Sequence, residues 1–262
     1  PVADTLHFEL RPVTVTASRL DGTDLNVPVA VTVLSRYRIQ GGQQQLVLNE
    51  ALAAIPGLYT MNSENFAQDM RVSIRGFGAR AAFGIRGIKI LVDGIPESTP
   101  DGQAQVDNID LGFIDRIEVL RGPVSALYGN ASGGVISFSS SEPPEASYLD
   151  MRVSTGDFGF QQIQLKVGQQ RGPFSYIMNF SRNQADGFRE HSAMKNSVVN
   201  GKLLWEIDPN LSFTFLTNYA VNPLANDPGA LTKDQVVENR SSARDRNVQY
   251  NSGESVSQFR IA

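Results

Sequence analysis

A short glycine motif in the first half of the chain has the spacing of a dinucleotide-binding loop. Residues 76–81 read Gly-Phe-Gly-Ala-Arg-Ala and follow an apolar run that ends at Ile74. In such a site the glycines let the backbone approach a pyrophosphate at the N-terminus of a helix. Here Gly84 and Gly87 follow at once, and no alternation of strands and helices comes after them. The sequence therefore argues against nucleotide binding.

Side chains that ligate metals or act as nucleophiles are sparse. The chain has no cysteine and two histidines, His7 and His191, neither of which belongs to a cluster at ligand spacing. The aspartates of the first half are Asp69, Asp93, Asp101, Asp107, Asp110 and Asp115. They are spread through predicted turns, where aspartate caps or bends the backbone. We expect no catalysis, no metal site and no cofactor, and the net charge of −4 offers no basic surface for nucleic acid.

Three charged residues stand out because they lie at the ends of apolar strand runs. These residues are Arg75, Glu118 and Arg121. A charge among apolar side chains needs a partner. A local glutamate–arginine pair is one such partner. We predict that Arg75 and Arg121 are buried and structural.

The elements that must position these residues are short strands separated by glycine corners. Apolar residues alternate or run continuously within 71–94 and 114–140, and a strand is predicted at 27–35. Leucines and isoleucine at helical spacing predict a helix within 41–60, closed by Pro56-Gly57. The first part of the chain is therefore a compact body with tight turns.

The pattern changes after a polar, proline-containing stretch at 139–146. Six segments of about ten residues then alternate apolar and polar side chains, as a tilted membrane-spanning strand requires. Tight turns at 170–173 and 208–210 alternate with long polar loops at 184–197 and 222–254, which is typical of outer-membrane barrels. A soluble β-sandwich is the alternative. The segments are 148–155, 161–168, 174–183, 198–207, 212–221 and 255–262.

Aromatic residues recur in these segments. They form girdles at the two surfaces of a membrane barrel, although ordinary packing between strands uses the same residue types. The residues are Phe174, Tyr176, Phe180, Trp205, Phe213, Phe215 and Tyr219.

The first 28 residues form a polar arm with one alternating segment, in which Val13 and Val15 stand beside Thr14 and Thr16. A strand this short is not stable alone and needs a partner. It is either an edge strand of the following domain or a strand offered to the sheet edge of another protein.

These motifs resemble the plug domain of TonB-dependent outer-membrane receptors over roughly residues 11–145. The resemblance rests on RGFGAR at 75–80, LRGP at 120–123 and ALYGNASGGV at 126–135. It implies an α+β plug domain, a small mixed sheet with short helices, followed by the first strands of an antiparallel transmembrane β-barrel. The implied divisions are an arm with the TonB box at 1–28, the plug domain at 29–145, and roughly six barrel strands at 146–262. Plugged barrels have about 22 strands, so the chain looks truncated.

The resemblance also implies partners and roles. The location is the bacterial outer membrane, in contact with its lipid, and TonB with its inner-membrane energising complex is the protein partner. The implied TonB contact comprises Val13, Thr14, Val15, Thr16 and Ala17. The implied latch between plug and barrel comprises Arg75, Glu118 and Arg121.

The expected function is uptake of a scarce ligand. Residues 65–110 are similar to the receptor branch for pyrroloquinoline quinone, so that quinone is the first expectation. A ferric siderophore or other ferric chelate is the alternative, followed by a non-transporting signalling or adhesion receptor. Three loops, Asn65–Gln68, Ala79–Phe83 and Glu97–Gln103, are expected to point outward. The candidate ligand-binding residues are Asn65, Phe66, Gln68, Arg80, Phe83, Asp101 and Gln103.

Overall fold

The computed structural model of the protein describes residues 14–15, 22–23, 30–62, 64–82, 84–99, 101–122 and 124–262. The N-terminal domain contains β1 (Thr14–Val15), β2 (Gly22–Thr23), β3 (Ala30–Ser35), α1 (Arg36–Gln40), α2 (Asn49–Leu52), β4 (Leu58–Met61), β5 (Arg71–Ile74), β6 (Ile88–Val92), β7 (Ile95–Pro96), a 3-10 helix (Leu111–Phe113), β8 (Ile114–Arg121), α3 (Ser125–Tyr128) and β9 (Gly134–Ser140). The C-terminal region contains β10 (Tyr148–Thr155), β11 (Gln161–Arg171), β12 (Phe174–Ala185), β13 (Met194–Asp208), β14 (Leu211–Asn226), α4 (Lys233–Glu238), α5 (Asp245–Gln249) and β15 (Gly253–Ile261). Among the described residues, no helix is long and apolar enough to cross a membrane.

Five strands of the N-terminal domain form one mixed sheet in the order β3-β8-β9-β6-β7. Strands β6 and β9 run parallel, and the other neighbours in this sheet are antiparallel. Strands β4 and β5 form a separate antiparallel pair. The predicted small mixed sheet with short helices is confirmed.

The core of this domain lies around β8 and β9. Ile117, Val119, Ile136 and Phe138 are completely buried there. Burial of a side chain of this size contributes about 1.5–3 kcal/mol relative to exposure. The two central strands therefore contribute strongly to the stability of the domain.

One glycine in this core has no room for a side chain. Gly134, the first residue of β9, has a φ of +139°, and a Cβ atom there would lie 2.1 Å from the carbonyl oxygen of Leu120. Because glycine alone adopts this backbone conformation readily, the close pairing of β8 with β9 depends on it. Gly94, in the turn between β6 and β7, also has a positive φ of +78°, but open space surrounds its Cα atom.

The helix predicted within 41–60 is much shorter in the structure, because only α2 is helical there. The carboxylate of Glu50 accepts hydrogen bonds from the backbone N–H groups of residues 45–47. These bonds hold the preceding residues in a turn, and Pro56-Gly57 then leads the chain into β4. The apolar spacing thus predicts correctly that these side chains are buried, but it predicts a longer helix than the structure contains.

Strands β10 to β15 form a six-stranded antiparallel meander in which each strand pairs with the next. We call this sheet the wall. Each predicted segment coincides with one of its strands. Several strands extend further than predicted, because polar residues beyond the alternating part continue the hydrogen-bonded pairing with the neighbouring strand. The long loops consequently shrink to 186–193 and 227–252.

The two faces of the wall differ in polarity. The seven aromatic residues identified from the sequence are all partly exposed, and in the strand registers they share the outer face. Trp205 lies between Phe174 and Phe213, with ring centroids at 5.4 and 6.2 Å. The inner face is polar and packs against the N-terminal domain; its buried residues include Gln162, Gln164, Lys166, Asn179, Ser181, Asn183, Asn200 and Lys202. An apolar outer face and a polar inner face are typical of a transmembrane β-sheet.

Candidate ligand cleft and contacts between the two regions

Two of the predicted ligand-binding residues contact the first residue of the longest loop. Asn65 Nδ2 donates to Asp227 Oδ1 at 2.9 Å, and Gln68 Nε2 donates to Asp227 Oδ2 at 3.2 Å. Burial alone would raise the pKa of the Asp227 carboxyl, but hydrogen bonds from Gly229, Asn65 and Gln68 outweigh it and lower that pKa. Since Asp227 follows β14 directly, the predicted loop at 65–68 lies at the long-loop end of the wall.

A second pair of predicted residues is joined by an arginine. Arg86 Nη2 donates to Gln103 Oε1 at 3.2 Å and pairs with Asp101 Oδ2 at 3.0 Å. Gln103 Nε2 reaches Asp69 Oδ2 at 3.4 Å, which links this group to the residue after Gln68. Hydrogen bonds from Thr99 and from the backbone N–H of Gln103 lower the pKa of the Asp101 carboxyl.

The loop at 79–83 is the least connected of the three. Its Ala81 carbonyl accepts a hydrogen bond from Arg71 Nη1 at 3.1 Å, which ties the loop to β5. The Arg80 side chain is exposed, and it forms no hydrogen bond or ion pair in the part of the chain that the structure describes. Phe83 lies outside the described residues. The structure therefore brings together two of the three predicted loops.

A cleft with a cavity volume of about 90 Å³ lies between the N-terminal domain and β12, β13 and β14. Phe66 and Gln68 line one side, and Asn222 lines the other. Ser181 and Gln45 also line it and are at least nine-tenths buried, yet the Ser181 hydroxyl and the Gln45 side-chain carbonyl have no hydrogen-bond partner among the described residues. Because buried polar atoms ordinarily have partners, this cleft is suited to hold polar groups.

A smaller cleft, with a cavity volume of about 60 Å³, adjoins the first, and Phe66 and Asp107 line both. Three carboxylates line it, from Asp69, Asp107 and Glu254. Burial, followed by the charges of Asp69 and Glu254, raises the pKa of Asp107 to about 6. By surface area the Asp107 side chain is exposed, so solvent screens part of this effect. Sequence reasoning placed Asp69 and Asp107 in turns only, because nothing local shows that β15 brings Glu254 beside them.

The raised pKa of Asp107 predicts a pH dependence of stability. Its carboxyl shifts from 3.8 to about 6, so between these pH values the folded protein holds a proton that the unfolded chain has released. We expect the free energy of unfolding to fall as the pH rises from about 4 to about 7, and to fall less in Asp107→Asn, which cannot titrate. Urea unfolding of both proteins across this range measures the difference. Identical pH dependences would contradict the environment described for Asp107.

Several polar contacts join the N-terminal domain to the inner face of the wall. They include Asp110–Asn179 at 2.7 Å, Glu142–Lys202 at 2.6 Å, Ser141–Lys166 at 3.1 Å and the ion pair Glu97–Arg260. Sequence reasoning missed these contacts. The wall residues of these pairs lie at inward-facing positions of their strands. The polar residues on that face of the alternating pattern were therefore the sequence signal from which these contacts could have been predicted.

The Asp110–Asn179 pair is suited to mutation because both side chains are buried. The carboxylate of Asp110 accepts from Asn179 and from the backbone N–H of Gly112. Asn179→Ala should lower the free energy of unfolding by about 1–3 kcal/mol, because it removes a donor from a buried carboxylate. Denaturant unfolding measures this. Gln184→Ala, which removes an exposed hydrogen bond on the same strand, is the control, and an equal effect of both substitutions would refute the contact.

The two arginines that were expected to connect the two regions differ from the prediction in their burial and in their partners. Arg75 is exposed and not buried as predicted, because β5 ends at Ile74 and the chain turns there with an Arg75 φ of +50°. Arg121 is half-buried and donates to the Pro56 carbonyl at 2.8 Å and to Thr32 Oγ1 at 2.9 Å. These partners belong to the N-terminal domain. A latch function of either arginine remains a prediction.

The third proposed latch residue, Glu118, is completely buried in β8. Its Oε1 lies 3.0 Å from Arg116 Nη2, two residues earlier on the same strand. A local glutamate–arginine pair, which the sequence left open as the alternative, is therefore present.

The arm segment differs from its prediction in one respect. Thr14 and Val15 pair antiparallel with Thr23 and Gly22, whereas the sequence suggested a partner in the following domain or in another protein. The other three residues of the segment, Val13, Thr16 and Ala17, lie outside the described residues.

A compact N-terminal domain packed against the polar inner face of an antiparallel sheet is the arrangement expected for a plug and part of a barrel wall. Residues 23–135 match the family described as TonB-dependent Receptor Plug Domain. Residues 23–135 are thus a plug domain of this type, and the antiparallel strands of the wall follow it. We use plug for the N-terminal domain from here on.

Named relatives agree with this assignment. A hemin receptor of Yersinia pestis is 27% identical over 90% of this chain and 37% of its own length. A ferrioxamine receptor of Yersinia enterocolitica is 26% identical over 83% of this chain and 30% of its own. The structure of the ferric citrate transporter FecA superposes with a TM-score of 0.68, at 25% identity over 82% of this chain and 34% of that protein. The chain therefore spans about a third of the length of these relatives. As expected from the sequence, these relatives are named as receptors and a transporter and not as enzymes.

Proposed function

We propose that the full-length protein is a receptor for TonB-dependent uptake of a ferric siderophore or another ferric chelate across the outer membrane. The cleft between plug and wall is the observation that carries this proposal. It lies at the long-loop end, and Phe66 and Gln68, both expected to bind ligand, line it. The names of the relatives favour an iron-containing ligand over pyrroloquinoline quinone, which the sequence resemblance had placed first.

The proposed mechanism is binding followed by conformational change. A ligand in the cleft competes with Asp227 for the amide groups of Asn65 and Gln68, which donate to that carboxylate in the structure. The bound ligand thereby alters the contact between plug and long loop. The segment Val13–Ala17 then becomes available to TonB, whose pull, energised from the inner membrane, remodels the plug. No covalent bond is made or broken.

The predicted ligand residues take different places in this proposal. Phe66 offers an aromatic face within the cleft, and Asn65 and Gln68 offer amide donors. Asp101 and Gln103 lie beside Arg86 at the neighbouring loop. Arg80, with Phe83 in the same loop, is proposed to meet the oxygen atoms of the ligand from the exposed side.

An uptake experiment tests the proposal. The full-length receptor is produced in a strain that lacks its own iron receptors, with TonB present or deleted. Accumulation of radioactive iron is measured for ferrioxamine B, ferric citrate and hemin. We expect uptake of at least one compound only when TonB is present. Uptake that is equal without TonB, or no uptake of any compound, would contradict the proposal.

A further inference from the structure

The joined clefts between plug and wall have an acidic lining. We infer that they bind a protonated amine on the ligand, and so select cationic chelates over polycarboxylate ones. This inference rests on the proposed function and specifies the chemical class of its ligand.

The first argument is the absence of compensating charge. Asp69, Asp107 and Glu254 line the smaller cleft, and within the described residues none of them forms an ion pair. Asp69 accepts amide hydrogen bonds only, including one from Gln105 at 3.1 Å. Carboxylates gathered in a partly enclosed space attract a cation and repel an anion.

The second argument concerns the cationic side chains nearby. Arg86 pairs with Asp101, and Arg260 pairs with Glu97. Lys195 lines the larger cleft and forms no ion pair among the described residues, but it is in register with Gln184, on the outward-facing side of the wall. The described lining of the smaller cleft, which holds the three carboxylates, contains no lysine or arginine, so an anionic ligand would find no cationic partner there.

The third argument is independent of charge. The buried Ser181 hydroxyl and the Gln45 side-chain carbonyl line the larger cleft without partners among the described residues. The Gln45 carbonyl only accepts hydrogen bonds, and the hydroxyl also accepts. A ligand that donates N–H groups satisfies both atoms, as a protonated amine or an amide does. In the described part of the chain no three carboxylates or histidines converge as a metal site, so an organic cation fits better than a bare metal ion.

A series of ligands with one iron centre and different charge tests the inference. Ferrioxamine B carries a protonated terminal amine, its N-acetyl derivative is neutral, and its N-succinyl derivative is anionic. We expect the purified full-length receptor to bind them with affinity decreasing in that order. In the double variant Asp107→Asn, Glu254→Gln, the affinity for ferrioxamine B should fall by about ten- to a hundredfold, as loss of charged hydrogen bonds implies. The affinity for the N-acetyl derivative should stay within about twofold.

Two controls separate the possible failures. Asp234→Asn removes an exposed carboxylate from α4, away from both clefts, and should change no affinity in the series. Retained binding of the N-acetyl derivative shows that the double variant is folded. Tighter binding of the anionic derivative, or of ferric citrate or hemin, than of ferrioxamine B would overturn this inference and leave the proposed function intact. An unchanged affinity of the double variant for ferrioxamine B would do the same. Failure of every compound to bind would overturn both.

Discussion

Replacement of Val15 by proline should abolish ligand uptake while ligand affinity stays unchanged. Val15 lies in β1, which pairs over only two residues with β2. We propose that TonB takes over this strand as an added edge, which requires backbone hydrogen bonds. Proline removes the N–H donor and fixes φ, so the strand cannot complete a ladder with TonB. Uptake of radioactive iron by cells and binding by the purified receptor measure the two effects separately.

A matched substitution in the same arm controls for a general effect of proline. Thr5→Pro lies outside the segment Val13–Ala17 and should leave both uptake and binding unchanged. Normal uptake by the Val15→Pro receptor would exclude this segment as the TonB contact. Loss of ligand binding in that variant would instead indicate damage to the plug.

The largest effect on stability is expected for Gly134→Ala. The new Cβ atom would lie 2.1 Å from the Leu120 carbonyl oxygen, and φ is +139°. Backbone strain and overpacking of this kind each cost about 1–3 kcal/mol, so the plug should lose about 2–6 kcal/mol of stability. Denaturant unfolding and protease sensitivity of the plug measure this loss.

Gly94→Ala separates the two causes, because Gly94 has positive φ but open space around it. It should cost about 1 kcal/mol, from backbone strain alone. Equal losses in the two variants would mean that β8 and β9 can separate locally, and would contradict the tight pairing described here.

The fold could be predicted from the sequence to the extent that its signals are local. Alternation located all six strands of the wall, and glycine corners located the short strands of the plug. The extent of the helix within 41–60 could not be predicted, because the Glu50 carboxylate captures the backbone of residues 45–47. Leucines at helical spacing indicate which side chains are buried, and the same spacing is compatible with a turn.

The site could be predicted less completely, because its partners are distant in the chain. The loop at 65–68 was identified as polar and outward-facing, but its contact with Asp227 joins residues about 160 positions apart. The same limit explains the latch residues. An arginine after an apolar strand appears buried in the sequence, yet at Arg75 the chain has already turned outward.

Ligand-dependent contact of the arm with TonB is the central claim, and thiol cross-linking measures it most directly. The 262 residues contain no cysteine, so Val15→Cys introduces a single thiol into this part of the receptor, and Thr5→Cys provides the control. Membranes that contain the full-length variant and a TonB with one cysteine are oxidised with and without the compound taken up in the transport experiment. We predict that ligand increases the cross-link at Val15→Cys several-fold and leaves Thr5→Cys at background. A cross-link at Val15→Cys that is absent, or equal with and without ligand, would contradict the account.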